Sequence, residues 1–313
     1  MTKLFFATDV HGSEICWKKF VNAAKFYEVD IIILGGDMTG KAIVPIIAQG
    51  NEKYKVTLLE QEAWLDGQDQ VDDMVKTIQN RGYYPYVTDP DEVAEISTTP
   101  GRSDELFLQE ALRTAERWME YADARLAGSG IRCYVCPGND DVFELDPVIE
   151  ASQHVQLAEG QVVKLDEHHE MISCGWSNPT PWDTHREEDE DALRVRLQGM
   201  TTQLQNPRNA VFNFHAPPYA SGLDEAPELS EDLRPTYAGR ALINVGSHAV
   251  LESIETYQPL LGLHGHIHEG KGTRKLNRTL CINPGSMYEQ GMLQGAIIEL
   301  KRNKIGNYIL TTG

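Results

Sequence analysis

The chain has 313 residues, of which 41% are hydrophobic and 24% are charged, a composition typical of soluble globular proteins. Its formal net charge of −19 argues against nucleic acid or an anionic membrane as partner, because binding a polyanion requires a basic face. Five cysteines give no disulfide framework, no stretch could span a bilayer, and the N-terminus lacks the apolar core of a signal peptide, which together predict a cytoplasmic protein.

The beginning of the chain predicts a strand, a helix and a second strand. These elements are a strand over Lys3–Thr8, a helix over about 13–27, and a strand over Asp30–Leu34. Asp9 and His11 follow the first strand, and Asp37 follows the second. Because open α/β sheets build their sites at the carboxyl ends of parallel strands, these three side chains are candidate site residues.

The segment from Gly40 to Gly130 carries no such strand-end residues. Its predicted elements are a hairpin in Lys41–Leu59 around Gln49–Asn51, helices over Gln68–Gln79 and Asp104–Leu126, and connectors at Tyr83–Val87 and Ser97–Gly101. A βαβ connection needs only about 30 residues, so much of this segment is extra structure. We predict that residues 41–129 form an insertion beside the site, like a cap, that limits access to it or mediates self-association.

The second half returns to apolar strands that end in polar or imidazole side chains. The expected elements are strands over Ile131–Cys136, Val162–Leu165, Met171–Cys174 and Ala210–Phe214, helices over Glu187–Leu204 and from Ser247 to about Tyr257, and a loop over Ser221–Thr236. Asn139 follows the first of these strands and His215 follows the last. Cys133 and Cys136 point to opposite faces of one strand, so we expect buried structural roles for both and no metal pair.

The stretch Leu260–His268 reads Leu-Leu-Gly-Leu-His-Gly-His-Ile-His, which is an apolar run followed by three histidines at alternate positions. Its apolar half predicts a short buried strand. Its second half has histidines at alternate positions, which project to one face of an extended chain, and imidazole is the commonest side-chain metal ligand near neutral pH. Strands over Thr279–Asn283, Gly295–Leu300 and Ile305–Leu310 are expected to close a sheet in antiparallel fashion.

Seven ligand-type residues therefore follow five separate strands: Asp9, His11, Asp37, Asn139, His215, His266 and His268. In order and type, these motifs resemble the calcineurin-like metallophosphoesterases, whose pattern is Asp-x-His, Gly-Asp, Gly-Asn-His-Asp/Glu, His and Gly-His-x-His. The resemblance covers nearly the whole chain apart from residues 40–130. It implies one α/β domain over residues 1–313, a four-layer α/β/β/α sandwich of two mixed sheets with two metal ions between them.

Carried over by position, the resemblance implies two overlapping ligand sets: Asp9, His11, Asp37 and His268 for one metal, and Asp37, Asn139, His215 and His266 for the other. Asp37 would bridge the ions, which requires a carboxylate because an amide could not offset their charge. Mixed nitrogen and oxygen ligands favour manganese, iron, zinc or nickel over calcium. Two such ions about 3.5–4 Å apart can hold a bridging hydroxide for in-line attack on a phosphate ester. The candidate catalytic residues are Asn139, Asp140 and His215.

One motif departs from the family pattern, because Asp140 stands where the family usually has a histidine that protonates the leaving group or holds a phosphoryl oxygen. A carboxylate with an ordinary pKa of about 3.9 is a poor general acid at neutral pH. It also repels a dianionic monoester more than a monoanionic diester, which favours a phosphodiester or a substrate with a good leaving group. The alternative is that Asp140 turns outward and solvent supplies the proton.

The sequence leaves three functions open. They are hydrolysis of a phosphodiester or small organic phosphate, hydrolysis of phosphomonoesters or phosphoproteins, and a scaffold that keeps the fold without catalysis. Scaffolds usually lose ligands, and all seven are present, which favours a metal-dependent phosphoric ester hydrolase. The expected partners are a small phosphate ester and a second copy of the chain, with no nucleic acid and no membrane.

Other polar residues near these motifs are expected to support the site or to lie on the surface. His264 is outside the family pattern, and we expect it to be buried next to the ligands. Asn283 or Ser286, in the turn Asn283-Pro-Gly-Ser286, is expected to support the site. The remaining histidines are expected on the surface: His154, His168, His169, His185 and His248.

Overall fold

Strands account for most of the regular structure in the computed structural model, which describes residues 1–230 and 232–313. The strands are β1 (Thr2–Ala7), β2 (Ile31–Leu34), β3 (Ile43–Ala48), β4 (Lys53–Leu58), β5 (Gln61–Asp66), β6 (Tyr84–Thr88), β7 (Arg132–Val135), β8 (Val155–Leu157), β9 (Val162–Lys164), β10 (Glu170–Cys174), β11 (Val211–Phe214), β12 (Glu225–Pro227), β13 (Leu242–Asn244), β14 (Leu261–Leu263), β15 (Gly272–Leu276), β16 (Thr279–Asn283), β17 (Gln294–Lys301) and β18 (Lys304–Thr312). The α-helices are α1 (Glu14–Phe26), α2 (Gln68–Asn80), α3 (Pro90–Thr98), α4 (Arg102–Leu126), α5 (Leu145–Glu150), α6 (Glu190–Thr201) and α7 (His248–Tyr257).

The first large sheet has the order β18-β17-β1-β2-β7-β8. Strands β1, β2, β7 and β8 run parallel, whereas β17 pairs antiparallel with β1 and with β18. Both faces of this sheet are covered, and β2 is accordingly an uninterrupted Ile-Ile-Ile-Leu run that is completely buried. The parallel strands point their carboxyl ends to the same edge of the sheet.

The second large sheet has the order β15-β16-β14-β11-β10-β9. Its four central strands, β10, β11, β14 and β16, run parallel, and β9 and β15 are antiparallel edges. The expectation for Thr279–Asn283 was wrong, since β16 pairs in parallel with β14 and lies in a different sheet from β17 and β18. Apolar alternation identifies such a strand, but it does not identify the neighbour against which the strand packs.

Three apolar layers hold the sheets and helices together. One joins α1 and α4 to the first sheet, the second lies between the two sheets, and the third joins α6 and α7 to the second sheet. The order of layers is therefore helix, sheet, sheet, helix, which confirms the expected α/β/β/α sandwich of mixed sheets. None of the helices in the described ranges combines the length with the apolar composition that a membrane span requires.

A smaller sheet, β5-β4-β3-β6, has its own apolar core with α2, and we call residues 43–88 the small-sheet segment. Its β3–β4 hairpin was expected. Tyr83–Val87 was expected as a connector, but all of it except Tyr83 lies in β6. Pro85 is tolerated because β6 is an edge strand, where a missing N–H breaks no ladder on the open side. Likewise, residues 97 and 98 belong to α3 and not to a connector.

Helix α4 lies inside the expected boundaries 41–129 but packs with the main domain. The Trp118 ring stacks on Trp17 of α1 with centroids 4.9 Å apart, and the Trp17 Nε1 donates to the Trp118 carbonyl oxygen at 3.1 Å. Both indoles are fully buried. The part of 41–129 with an apolar core of its own is thus the small-sheet segment. The expected loop Ser221–Thr236 contains β12 and also includes Glu231, which lies outside the described residues.

Replacing Trp118 with alanine is expected to lower the free energy of unfolding of the main domain by about 3–5 kcal/mol, because it removes a large buried ring. Urea denaturation monitored by circular dichroism measures the change. Trp64→Ala is the matched control, since Trp64 is 58% exposed on β5 and its loss should cost less than about 0.5 kcal/mol. Equal effects of the two substitutions would show that α4 does not stabilise the main domain.

Candidate metal centre

The candidate ligands lie at the edge where the parallel strands of both large sheets end. They follow the carboxyl ends of five strands: Asp9 and His11 after β1, Asp37 after β2, Asn139 after β7, His215 after β11, and His266 and His268 after β14. The first three strands belong to one sheet and the last two to the other. The structure therefore brings together residues that are up to 259 positions apart in the sequence.

The first group of ligands consists of Asp9, His11 and His268, whose donor atoms lie within 4.8 Å of one another. The Nε2 atoms of His11 and His268 are 3.0 Å apart, and the Nε2 of His268 lies 3.5 Å from the Asp9 Oδ1. His11 and Asp9 are fully buried, whereas His268 is 30% exposed and faces solvent at the edge of the group. A small molecule would approach from the His268 side.

The second group consists of Asp37, His215 and His266, again with donor atoms within 4.8 Å. Asn139 joins it, because its Oδ1 lies 2.7 Å from the His266 Nδ1. The Oδ2 of Asp37 is 3.3 Å from the His215 Nε2 and 3.5 Å from the Nε2 of His11, which belongs to the first group. Asp37 thus lies between the two groups, at the position that a bridging carboxylate requires.

The hydrogen bonds of His215 leave one ring nitrogen free for a metal. Its Nδ1 donates to the carbonyl oxygen of Gly35 at 3.0 Å, so Nε2 is the nitrogen that would carry the lone pair once a cation replaces its proton. That Nε2 is buried and has no hydrogen-bond partner. A buried, unpaired nitrogen next to a carboxylate is unfavourable, and a cation bound by both would satisfy both. The buried histidine and aspartate clusters are therefore consistent with a dinuclear metal site.

The protonation equilibria of the centre also indicate a shortage of positive charge. Burial alone would lower the pKa of His215, but the neighbouring Asp37 carboxylate outweighs burial and the pKa rises to about 10. Burial lowers the pKa of His266 to about 4 and that of His11 to about 3, so both rings are neutral at pH 7 and keep a lone pair for a metal. A divalent ion would supply the charge that the His215 proton otherwise provides.

The ligand loops have strained backbones. Asp9, His11, Asp37 and His266 all have positive φ angles, of 53°, 37°, 53° and 66°. Residues other than glycine rarely adopt this conformation. It costs on the order of 1–3 kcal/mol at each position, so it persists only where the surrounding structure enforces it. Four such residues in one cluster indicate a functional site whose geometry is maintained at the expense of stability.

Asp141 links two of the ligand loops. Its buried carboxylate accepts hydrogen bonds from the backbone N–H groups of Met38 and Gly138 and from both the N–H and the hydroxyl of Thr39, at 2.7–3.0 Å. Met38 and Thr39 directly follow Asp37, and Gly138 directly precedes Asn139. Asp141 therefore orients the loops that carry Asp37 and Asn139.

The turn after β16 supports the His266 and Asp9 loops, as expected. The Nδ2 of Asn283 donates to the carbonyl oxygens of Gly265 and Ile267 at 3.2 and 2.9 Å. The hydroxyl of Ser286 donates to the carbonyl oxygen of Asp9 at 2.6 Å. These bonds connect loops of both sheets and restrict the motion of the ligands.

Two histidines outside the ligand set are buried. His264 is fully buried, and its Nδ1 lies 2.9 Å from the Phe214 carbonyl oxygen, directly before His215 in the chain. This agrees with the expected supporting role. His169 was expected on the surface, but it is buried and its Nδ1 lies 2.8 Å from the Asp166 carboxylate. Asp166 is only three residues before His169, but the two side chains meet because of the turn between β9 and β10. The sequence analysis did not predict the geometry of that turn.

Asp140 faces the centre, and its carboxylate pairs with the ammonium group of Lys41. The backbone N–H of Asp140 donates to the Asp37 Oδ1 at 3.1 Å, and the Asp140 Oδ2 lies 3.8 Å from the Nδ1 of His11. Burial, and secondly the charge of Asp37, raise the pKa of Asp140 to about 6. Sequence reasoning missed Lys41, which belongs to no motif; its only signal was its position four residues after Asp37.

Comparison with known proteins gives one sequence relative and full-length structural matches. No family model matches the chain. The uncharacterized protein MJ1162 of Methanocaldococcus jannaschii is 30% identical over 150 residues, which are 47% of this chain and 61% of that protein. The match thus spans less than two thirds of the relative.

Two solved structures align with the chain over nearly its whole length. One crystal structure has a TM-score of 0.56 at 15% identity and covers 99% of this chain and 98% of its own. The crystal structure of TT1561 of Thermus thermophilus has a TM-score of 0.53 at 15% identity and covers 100% of this chain and 98% of its own. At this identity the likeness shows the fold alone, and the fold of the chain is the metallophosphoesterase fold.

Proposed function

We propose that this chain is a metal-dependent hydrolase of phosphate esters. The observation that carries the proposal is the convergence of seven nitrogen and oxygen ligands at the carboxyl ends of strands from both sheets, with Asp37 between two groups. Bound divalent ions, held by the two ligand sets named above, would activate water at neutral pH and neutralise the phosphoryl charge.

The chain's own residues limit the negative charge of the centre. Asn139 is a neutral ligand, and its Nδ2 donates to the Thr184 hydroxyl at 2.8 Å, which turns its carbonyl oxygen towards His266. The ammonium group of Lys41 offsets the charge of Asp140. A site built from these groups can accept an anionic ester, which an uncompensated cluster of carboxylates would repel.

A phosphodiester or a small organic phosphate with a good leaving group is the proposed substrate. Asp140 forms an ion pair with the ammonium group of Lys41, and this contact holds it as a carboxylate without a proton for the leaving group. Repulsion between Asp140 and a dianionic phosphate favours diesters only weakly, because Lys41 pairs with Asp140. Because Lys41 offsets the negative charge of Asp140, a dianionic monoester is less strongly repelled, and a phosphomonoesterase is the second candidate.

The surroundings of the centre have room for a small substrate. A cavity of about 440 Å³ opens next to His268 and is lined by Ser286, Met287, Tyr288 and Gln294 among others. This volume is in the range of about 300–1,000 Å³ that is usual for sites of small molecules. We propose a small phosphate ester as the partner, and neither nucleic acid nor a membrane.

Reconstitution with manganese, iron, zinc or nickel, followed by a panel of bis-p-nitrophenyl phosphate, p-nitrophenyl phosphate and cyclic nucleotides, tests the proposal. We expect two metals per chain by elemental analysis and faster hydrolysis of the bis-ester than of the monoester at pH 7.5. Protein stripped with a chelator is the control and should be inactive. Faster monoester hydrolysis would favour the second candidate, and bound metals without any hydrolysis would favour a scaffold.

A further inference from the structure

Lys41 is a charged residue at the metal centre to which the ligand sets give no role. Its ammonium group contacts Asp140, the residue that stands where the resembled family has a histidine. The side chain of Lys41 is 38% exposed and that of Asp140 is 21% exposed, so the pair lies where an incoming anion can reach it. Burial opposes the charged form, but the carboxylates of Asp37, Asp140 and Asp9 outweigh burial and raise the pKa of Lys41, so its side chain is an ammonium group at neutral pH.

The backbone of Lys41 is fixed relative to the ligand loops. Its N–H donates to the carbonyl oxygen of Gly82 at 3.1 Å, at the end of α2. Gly82 in turn packs directly on the His11 loop: an added Cβ would lie 2.1 Å from the His11 carbonyl oxygen, and its φ is +85°. The hydroxyl of Ser13 donates to the Asn80 carbonyl oxygen at 2.7 Å, which ties the same turn to α1. The chain therefore enters the small-sheet segment against the metal centre, and the turn between α2 and β6 packs there as well.

These contacts determine where the Lys41 charge can act. The ammonium group is held by Asp140, whose own N–H is bound to the proposed bridging residue Asp37. A lysine ammonium is a compact positive charge with three donors and binds phosphate oxygens in other sites as a point charge. A phosphate group bound at the metals would lie next to this donor, and it could exchange one contact of Lys41 with Asp140 for a contact with itself.

We infer that Lys41 is a substrate-binding residue that donates to a non-bridging phosphoryl oxygen, with Asp140 as the residue that positions it. The inference rests on the proposed function, since it assigns a residue to the same site. It gives the small-sheet segment a role in catalysis, because that segment fixes the position of a phosphate-binding cation.

The test is the affinity of the metal-loaded protein for inorganic phosphate, measured by titration calorimetry at pH 7.5. Lys41→Met should weaken phosphate binding by about 10- to 100-fold, the range expected when one charge-assisted hydrogen bond is lost. Metal content should stay at the wild-type value, and Lys41→Arg should keep most of the affinity. The KM for the better p-nitrophenyl ester should rise in parallel with the loss of phosphate affinity.

Lys55→Met is the matched control. Lys55 lies in the small-sheet segment on β4, is 37% exposed and pairs with Glu62 on the neighbouring strand, so phosphate affinity should be unchanged. Phosphate affinity of Lys41→Met within about twofold of wild type, or a wild type that binds metal but no phosphate, would overturn the inference. If the wild type binds phosphate through Lys41 and hydrolyses no ester, the inference stands and the proposed function fails.

Discussion

Asp37→Asn is expected to remove metal from both positions and to lower kcat/KM by at least about 1,000-fold, the equivalent of about 4 kcal/mol of transition-state stabilisation. The Asp37 Oδ2 lies 3.3 Å from His215 and 3.5 Å from His11, one in each ligand group. An asparagine keeps the size and removes the charge, so neither ion would be balanced. Elemental analysis and ester hydrolysis measure the two effects.

The control for this substitution is Asp30→Asn. Asp30 directly precedes β2, the strand that Asp37 follows, and accepts a hydrogen bond from the backbone N–H of Lys3 at 2.8 Å, at the opposite edge of the sheet. It should keep both metals and normal turnover. An Asp37→Asn protein with two metals per chain and a near-normal rate would rule out a bridging role for Asp37.

Gly138→Ala is the second substitution with a large expected effect. An added Cβ at this position would lie 2.1 Å from the Asp37 Oδ1 and 2.4 Å from the Asp37 backbone nitrogen. Backbone contacts of this kind cannot be relieved by a side-chain rotation, so Asp37 must move. Misplacement of a catalytic group by about 1 Å can cost about 100-fold in rate, and steric strain of this kind costs about 1–3 kcal/mol in stability.

The measurements for Gly138→Ala are metal content, kcat/KM and the midpoint of urea unfolding. Gly199→Ala serves as the control, because Gly199 lies in α6 and an added Cβ there meets no atom within 4 Å. In that helix, alanine should stabilise the protein by about 0.5–1 kcal/mol and leave activity intact. Full metal content and wild-type turnover in Gly138→Ala would contradict the close approach of these two loops.

The ligand loops could be predicted from the sequence because each is an apolar run followed by a ligand-type residue. The apolar run and the residue after it are both visible in the local sequence. Asp37 after Ile31–Leu34 is an example, since burial selects the apolar run and chemistry selects the residue at its end. The four layers followed from the resemblance that these motifs carry. The catalytic roles of Asn139, Asp140 and His215 stay predictions, because the position of a side chain does not by itself fix its part in a reaction.

The features that the sequence did not predict depend on contacts between distant segments. Lys41 and Asp140 form an ion pair although they are 99 positions apart in the sequence, and neither their residue types nor their spacing predicts the contact. Helix α4 has an amphipathic pattern that fits any apolar surface, so its packing on α1 could not be derived from its position in the chain. In β6, the residues Tyr-Pro-Tyr obscured a strand that is stabilised by its parallel pairing with β3.

The position of β1 in the first sheet has a consequence for the order in which the protein matures. This strand is hydrogen-bonded to β2 on one side and to β17 on the other, while its ligands Asp9 and His11 lie next to residues that follow β14. During synthesis, the first of these residues leave the ribosome well before β14 and β17 have been made. A nascent chain therefore has an open sheet edge and an incomplete set of candidate ligands, and the set is complete only after almost all of the chain has been translated.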